Sequence, residues 1–390
     1  MKKLLCITLL FCFTKTKAQF VTIPDANFLS YLQSVIPTAL NGNQMDTTST
    51  AVTTLTYITA GSYSITNLTG VQYFDALTLL DCSSNQINNF PKLPNTLQYF
   101  QCSFNPITSL PLLPNSLRQF VCISNGLTSL PLLPNSLRQL VCPNNSLTSL
   151  PTLPNLLQNL TCNTNLLTSL PTLPDSLRTL SCGYNQLTSL PALPDSLLDL
   201  FCSNNQLTSL PALPNSLQNL NCSYNQLTSL PALPALTELK CNNNNITCFP
   251  PFPNSIVYQT GSCPTCAPSP LDFSNNPFNC IPNYINVMDS THHSYPLCAA
   301  GNSNGCTIAT GIPTFNTQNS ILKIYPNPAQ NKITIDANDI VDAKLFDVLG
   351  KQISNTKENN IDVSNLPNSV YFIQVQTKQN TTTQKIIVQH

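Results

Sequence analysis

A cysteine returns every twenty residues through the middle of this chain. It stands at Cys82, Cys102, Cys122, Cys142, Cys162, Cys182, Cys202, Cys222 and, one residue early, Cys241, and each is followed three residues later by an asparagine. A unit this short cannot bury its own apolar residues, so self-similarity at this period points to a solenoid in which each unit is one turn stacked on the next. Within a unit the step from Leu180 to Cys182 has the period of a strand with one buried face. The second half, Leu-Pro-x-Leu-Pro, carries two prolines that exclude a regular helix and favour extended or polyproline-like backbone.

The apolar set Leu177, Leu180, Cys182, Leu187, Leu190 and Leu193 should lie above its counterparts in neighbouring turns. Burial of each aliphatic side chain contributes ~1.5–3 kcal/mol, so the core is expected to be one long ladder. The asparagines from Asn85 to Asn244 sit where the strand ends, and their amides should bond the backbone of adjacent turns, where an unpaired buried group costs ~1–3 kcal/mol. The pattern Leu-x-x-Leu-x-Cys-x-x-Asn-x-Leu resembles the leucine-rich repeat, and Leu190 to Pro194 is similar to the short bacterial subclass found in type III effectors. That subclass includes ubiquitin ligases with a large helical catalytic domain after the repeats. None follows here, so the resemblance implies the fold alone: a parallel-sheet coil with an irregular, polyproline-like convex side.

The repeats fade at both ends. Leu55, Ile58, Ala60, Ile65 and Leu68 fit a degenerate first turn with alanine in the cysteine position, and Leu271, Phe273, Asn276 and Phe278 fit a last one with phenylalanine there, making about eleven turns. Ahead of them, Phe28, Leu29, Leu32, Val35 and Ile36 have helical spacing behind a plausible cap at Asp25, which predicts a lid over the open end. Asn41 to Asp46 lacks the carboxylates that a calcium loop needs, so no metal is expected there. Lys2, Lys3, the apolar run from Leu4 to Phe13 and the small-x-small site Thr16 to Ala18 read as a secretory signal, too short to span a membrane. The mature chain is expected to be exported, soluble and without a transmembrane segment.

Six cysteines follow the regular repeats: Cys248, Cys263, Cys266, Cys280, Cys298 and Cys306. In an exported chain this even set reads as disulfides closing the end of the coil. Their pairing is left open by the sequence, with Cys298 to Cys306 as the first expectation. Cys263 and Cys266 with His292 and His293 form only a weak zinc signal, and no metal or other cofactor is expected. The nine cysteines of the column read as free buried thiols, because strands ~4.8 Å apart hold equivalent Cβ atoms too far apart and too parallel for a disulfide.

From Ile321 the pattern changes to short alternating strands at Leu322–Tyr325, Lys332–Ile335, Ala343–Phe346, Tyr371–Val375 and Lys385–Val388, which predicts a small β-sandwich. The string Ile324 to Pro328, then Lys344 to Lys351, Leu366-Pro367, Tyr371-Phe372 and the terminal Lys385 to Val388 is similar to the type A C-terminal sorting domain of type IX secretion. The glycine usual before the Tyr-Phe pair is replaced by Ser369 and Val370. The resemblance implies passage across a Gram-negative outer membrane by the type IX machinery, engaged through 321–390, with release or attachment at the cell surface. The expected organisation is a signal peptide at 1–18, an N-terminal helical cap at 19–50, the solenoid with its cysteine-rich end at 51–290, a cap tail and linker at 291–320, and the sorting domain at 321–390.

Only 8% of the 390 residues are charged and the formal net charge is zero, which argues against nucleic acid as a partner. No nucleophile–base pair, phosphate loop or metal motif supports an enzyme. Recognition is left to outward positions on the concave face: an apolar patch of Val121, Ile123, Val141 and Pro143, and aromatic residues Phe104, Tyr184, Tyr224 and Phe201. The patch suggests a protein partner; the aromatics offer plates for a sugar or a side chain. A coil of this kind also lets outward positions vary freely.

Overall fold

The computed structural model describes residues 19–256, 269–288, 296–298, 323–336, 339–348, 351–377 and 381–390. The segment 1–18 expected to be a signal peptide, Cys263, Cys266, Cys306, His292 and His293 lie outside the described residues. The chain divides into two units, Met1–Ile308 and Ala309–His390.

The first unit is a solenoid carrying an eleven-stranded parallel sheet whose strands lie in sequence order, from Tyr57–Thr59 to Leu271–Asp272. Register is one repeat throughout: Thr179, Leu180 and Ser181 pair with Asn159, Leu160 and Thr161 on one side and with Asp199, Leu200 and Phe201 on the other. The middle residue of each strand and the following cysteine point inward and are fully buried, as Leu180 and Cys182 show. Both irregular turns anticipated from the sequence take their places, with Ala60 and Phe273 buried where the others have cysteine.

Five of the coils turn at a Pro-x-Ser-Leu step, as where the Leu177 N–H donates to the Pro174 carbonyl at 3.0 Å. Proline fixes the backbone entering that turn. The serine then ties one coil to the one before: Ser176 Oγ lies 2.8 Å from the Asn155 carbonyl oxygen and 2.7 Å from that of Leu157. The same bonds recur at Ser116, Ser136 and Ser196. Leu156 occupies this position in one turn and is exposed.

The asparagine column does what its position demands. Asn185 donates through Nδ2 to the carbonyls of Cys162 and Cys182 at 3.1 Å, and its Oδ1 accepts from the Leu167 N–H at 3.0 Å. Each amide thus closes backbone groups of two turns that no strand reaches. Asn125 is set differently, accepting from the Asn105 N–H and not from Ile107.

The lid contains the expected helix, Ala26–Val35, capped by Asp25, with Phe28 and Leu32 fully buried. Asp25 also accepts from the Thr66 N–H and Oγ1, fastening the lid to the first turn. The lid is more than helical, because Phe20–Thr22, Leu40–Asn41 and Gln44–Asp46 form a three-stranded antiparallel sheet. The segment weighed as a calcium loop is the hairpin of that sheet, with Gly42 at φ 61° supplying the turn.

At the far end Phe249, Phe252, Phe273 and Phe278 pack with ring centroids 5.2–5.6 Å apart. A disulfide there joins Cys280 to Cys298, with Cα atoms 5.1 Å apart. This corrects the expected pairing of Cys298 with Cys306. The parallel bridge of Ile281 with Leu297, and the Cys298 N–H donating to the Ile281 carbonyl at 2.9 Å, bring Cys280 beside Cys298. Cys248 is disulfide-bonded as well.

The second unit is a small β domain of two antiparallel sheets. One contains Lys323–Tyr325, Lys332–Asp336 and Asn360–Asp362; the other contains Ile340–Phe346, Gln352–Thr356, Ser369–Thr377 and Thr381–Val388. Both contribute to one core that includes Ile333, Ile335, Leu345, Ile361, Ile373 and Ile386. Two strands, Gln352–Thr356 and Asn360–Asp362, have no counterpart in the sequence reading. Ser369 and Val370, at the position usually held by glycine, are regular strand residues paired with Val388 and Ile387.

Candidate binding surface

Two columns of side chains flank the buried centre of each strand and form the concave face. The residues before the cysteines include Gln101, Val121, Val141, Thr161, Ser181, Phe201, Asn221 and Lys240, as the sequence indicated. Those at the strand starts, Tyr99, Gln119, Gln139, Asn159, Thr179, Asp199, Asn219 and Glu238, were missed. Alternation about the buried leucine was the signal that could have found them.

Val121 and Val141 are register partners on neighbouring strands, and both are half-buried. Ile123 and Pro143 lie just beyond the cysteines, past the strand ends, and are also half-buried. The four are therefore contiguous, with Gln119, Gln139 and Thr161 around them. Phe201, also half-buried, ends the strand Asp199–Phe201 in a polar region. There Asp199 accepts from Thr179 Oγ1 at 3.1 Å and Asn219 Nδ2 at 2.6 Å, and Lys240 pairs with Glu238 at 2.5 Å.

Phe104, Tyr184 and Tyr224 are not on the strands. Each stands at the sheet edge, two residues past its cysteine, on left-handed backbone with φ of 57°, 53° and 54°. They are 56%, 61% and 53% exposed. Every turn uses this conformation at this place, at Ser84, Ser124, Asn144, Thr164, Asn204 and Asn243 as well. Asparagine adopts it readily, whereas a bulky or β-branched residue held there is an outlier.

The thiol column carries no reactive sulfur. All nine thiols are buried and free, and burial pushes their ionisation up, to about 12 at Cys162 and Cys202. The nucleophile of thiol chemistry is the thiolate, which these sites suppress. Among the described residues no cluster of His, Cys, Asp and Glu could hold a metal ion, and no helix is long and apolar enough to cross a membrane.

Residues 323–389 match the family described as secretion system C-terminal sorting domain, and residues 215–254 match leucine-rich repeats in two copies. No curated protein is a sequence match to the chain. Among solved structures, YopM from Yersinia enterocolitica WA-314 is 35% identical, with a TM-score of 0.56 over 60% of this chain. The chain spans 50% of the length of that structure. The functional domain of InlJ from Listeria monocytogenes, which includes a cysteine ladder, aligns over 95% of this chain and 98% of its own at 19% identity and a TM-score of 0.50, a likeness of fold alone. With the eleven-stranded coil and the antiparallel terminal domain, these matches establish a leucine-rich repeat protein with a C-terminal type IX secretion sorting domain.

Proposed function

We propose that the solenoid is a non-enzymatic recognition module that binds a protein partner on its concave face, as part of adhesion or recognition at or beyond the cell surface. The sorting domain accounts for the location, since it marks the chain for export and for release or surface attachment. The observation that carries the choice of partner is the apolar quartet Val121, Ile123, Val141 and Pro143, contiguous across two paired strands and rimmed by glutamine and threonine side chains. An apolar centre with a polar rim is the composition of a protein interface. The thiols are buried and protonated, which supports a binding role over thiol chemistry.

The test is capture of surface and secreted proteins by the exported chain, beside a Val121→Asp, Val141→Asp variant. Both substitutions lie on the outward column, so the fold should persist, as circular dichroism would verify. Partners retained by the native chain and lost by the variant support the reading. Equal capture by both removes the quartet from it.

A further inference from the structure

We propose that the strand-end edge of the solenoid is a second binding site, separate from the concave quartet, for an extended neutral polysaccharide. The first observation is cost. Phe104, Tyr184 and Tyr224 hold aromatic rings on left-handed backbone that asparagine fills more easily, as Asn144 and Asn204 do in neighbouring turns. The rings do not repay this by packing inward, since all three are more than half exposed. Strain retained at an exposed position points to function.

The second observation is spacing. The backbone ladder runs through this column, with Tyr184 N–H donating to the Ser203 carbonyl at 2.9 Å and Tyr224 N–H to that of Asn242 at 3.0 Å, so the strand separation of ~4.8 Å holds here. Tyr184 and Tyr224 are two turns apart, ~10 Å, and Phe104 lies four turns before Tyr184, ~19 Å. All three fall on every second turn. An extended hexopyranose chain with equatorial links presents the same face at every second ring, at about this repeat. A flat polymer laid along the edge would therefore place successive like faces on successive aromatic plates.

The third observation is chemistry. The turns carrying these rings hold no charged residue from 101 to 114, 181 to 194 or 221 to 234. Beside the rings stand exposed Gln186, Gln206 and Gln226 and exposed threonine–serine pairs. Amides and hydroxyls suit sugar hydroxyls. Phe201 points onto the concave face and has no part in this site.

Native affinity electrophoresis of the full exported chain in gels containing hydroxyethyl cellulose tests the proposal, with amylose and heparin as a helical and an anionic contrast. Retardation by hydroxyethyl cellulose is expected, weakened about tenfold by Tyr184→Asn or Tyr224→Asn. Those replacements install the residue that neighbouring turns already carry, so the fold is kept. Asn144→Tyr, which fills the gap between Phe104 and Tyr184, should strengthen retardation several-fold. Val121→Asp with Val141→Asp should leave it unchanged, which separates this site from the concave one. No retardation by hydroxyethyl cellulose, equal retardation of the tyrosine variants, or stronger retardation by heparin would overturn the proposal.

Discussion

The thiol column fixes how the solenoid responds to base. Its nine cysteines are free and buried, and burial pushes ionisation up to about 12 at Cys162 and Cys202. In the unfolded chain the same thiols are solvated and ionise near pH ~8.5. A group whose pKa is raised by folding contributes stability that is complete below the unfolded value and is lost as pH rises toward the folded one. Between about pH 7.5 and about pH 9.5 each thiol forfeits ~1.4 kcal/mol, so nine that open together forfeit ~12 kcal/mol. That matches the whole stability of an ordinary domain, ~5–15 kcal/mol. Urea unfolding under anaerobic conditions at a series of pH values should therefore show stability collapsing over this window. Replacing Cys142, Cys162, Cys182 and Cys202 by alanine lowers stability through lost packing, yet it should reduce the pH slope by four ninths. The slope also counts the turns that open as one unit, because a repeat array can open in parts. Indistinguishable slopes in the native and four-alanine chains would refute the argument, since the thiols would then be solvated in the fold or ionised in neither state.

Other perturbations follow from single bonds. Asn205→Ala strands the Leu187 N–H, whose partner is Asn205 Oδ1 at 3.0 Å, and removes bonds to Cys182 and Cys202; a loss of ~2–4 kcal/mol is expected in urea unfolding. Asn125→Ala should cost less, because Asn125 bonds the backbone in fewer places. Leu156→Ser should stabilise by ~0.5–1.5 kcal/mol, by supplying the bonds to the preceding turn that Ser136 and Ser176 make; an unchanged melting temperature would count against the serine ladder. Thr164→Asn should stabilise by ~1 kcal/mol, because threonine sits at φ 54° where asparagine is at ease. At Asp25 burial acts to raise the carboxyl pKa, but hydrogen bonds from Thr66, Phe28 and Asn67 outweigh it and hold it below the ordinary 3.8. Its contribution is thus present above that value and lost as pH falls through the depressed one, so the protection of the Ala26–Val35 amides relative to their intrinsic exchange rate should fall in acid, and Asp25→Ala should lower it at neutral pH.

What was legible in the sequence follows from what the core constrains. The cysteine and asparagine columns were plain because each residue meets its own copy one turn away, so the structure demands the same answer repeatedly. The strands Gln352–Thr356 and Asn360–Asp362 were not, because the first has no buried residue to mark an inward face and the second is three residues long with Ile361 alone buried, too little alternation to mark a half-buried strand. The pairing of Cys280 with Cys298 depended on a bridge between segments whose spacing carries no signal. The outward columns face solvent, and the fold accepts almost anything there, so residue identity on the concave strands is weak evidence of purpose. The left-handed position differs in kind. It is outward and free of packing, yet its backbone favours asparagine over ring-bearing and β-branched residues. A tyrosine on the strand costs nothing and says little, whereas Tyr184 and Tyr224 are held against a local preference that Asn204 and Asn243 in adjoining turns follow. That opposition makes three edge residues more informative about function than the larger number of side chains on the face beside them.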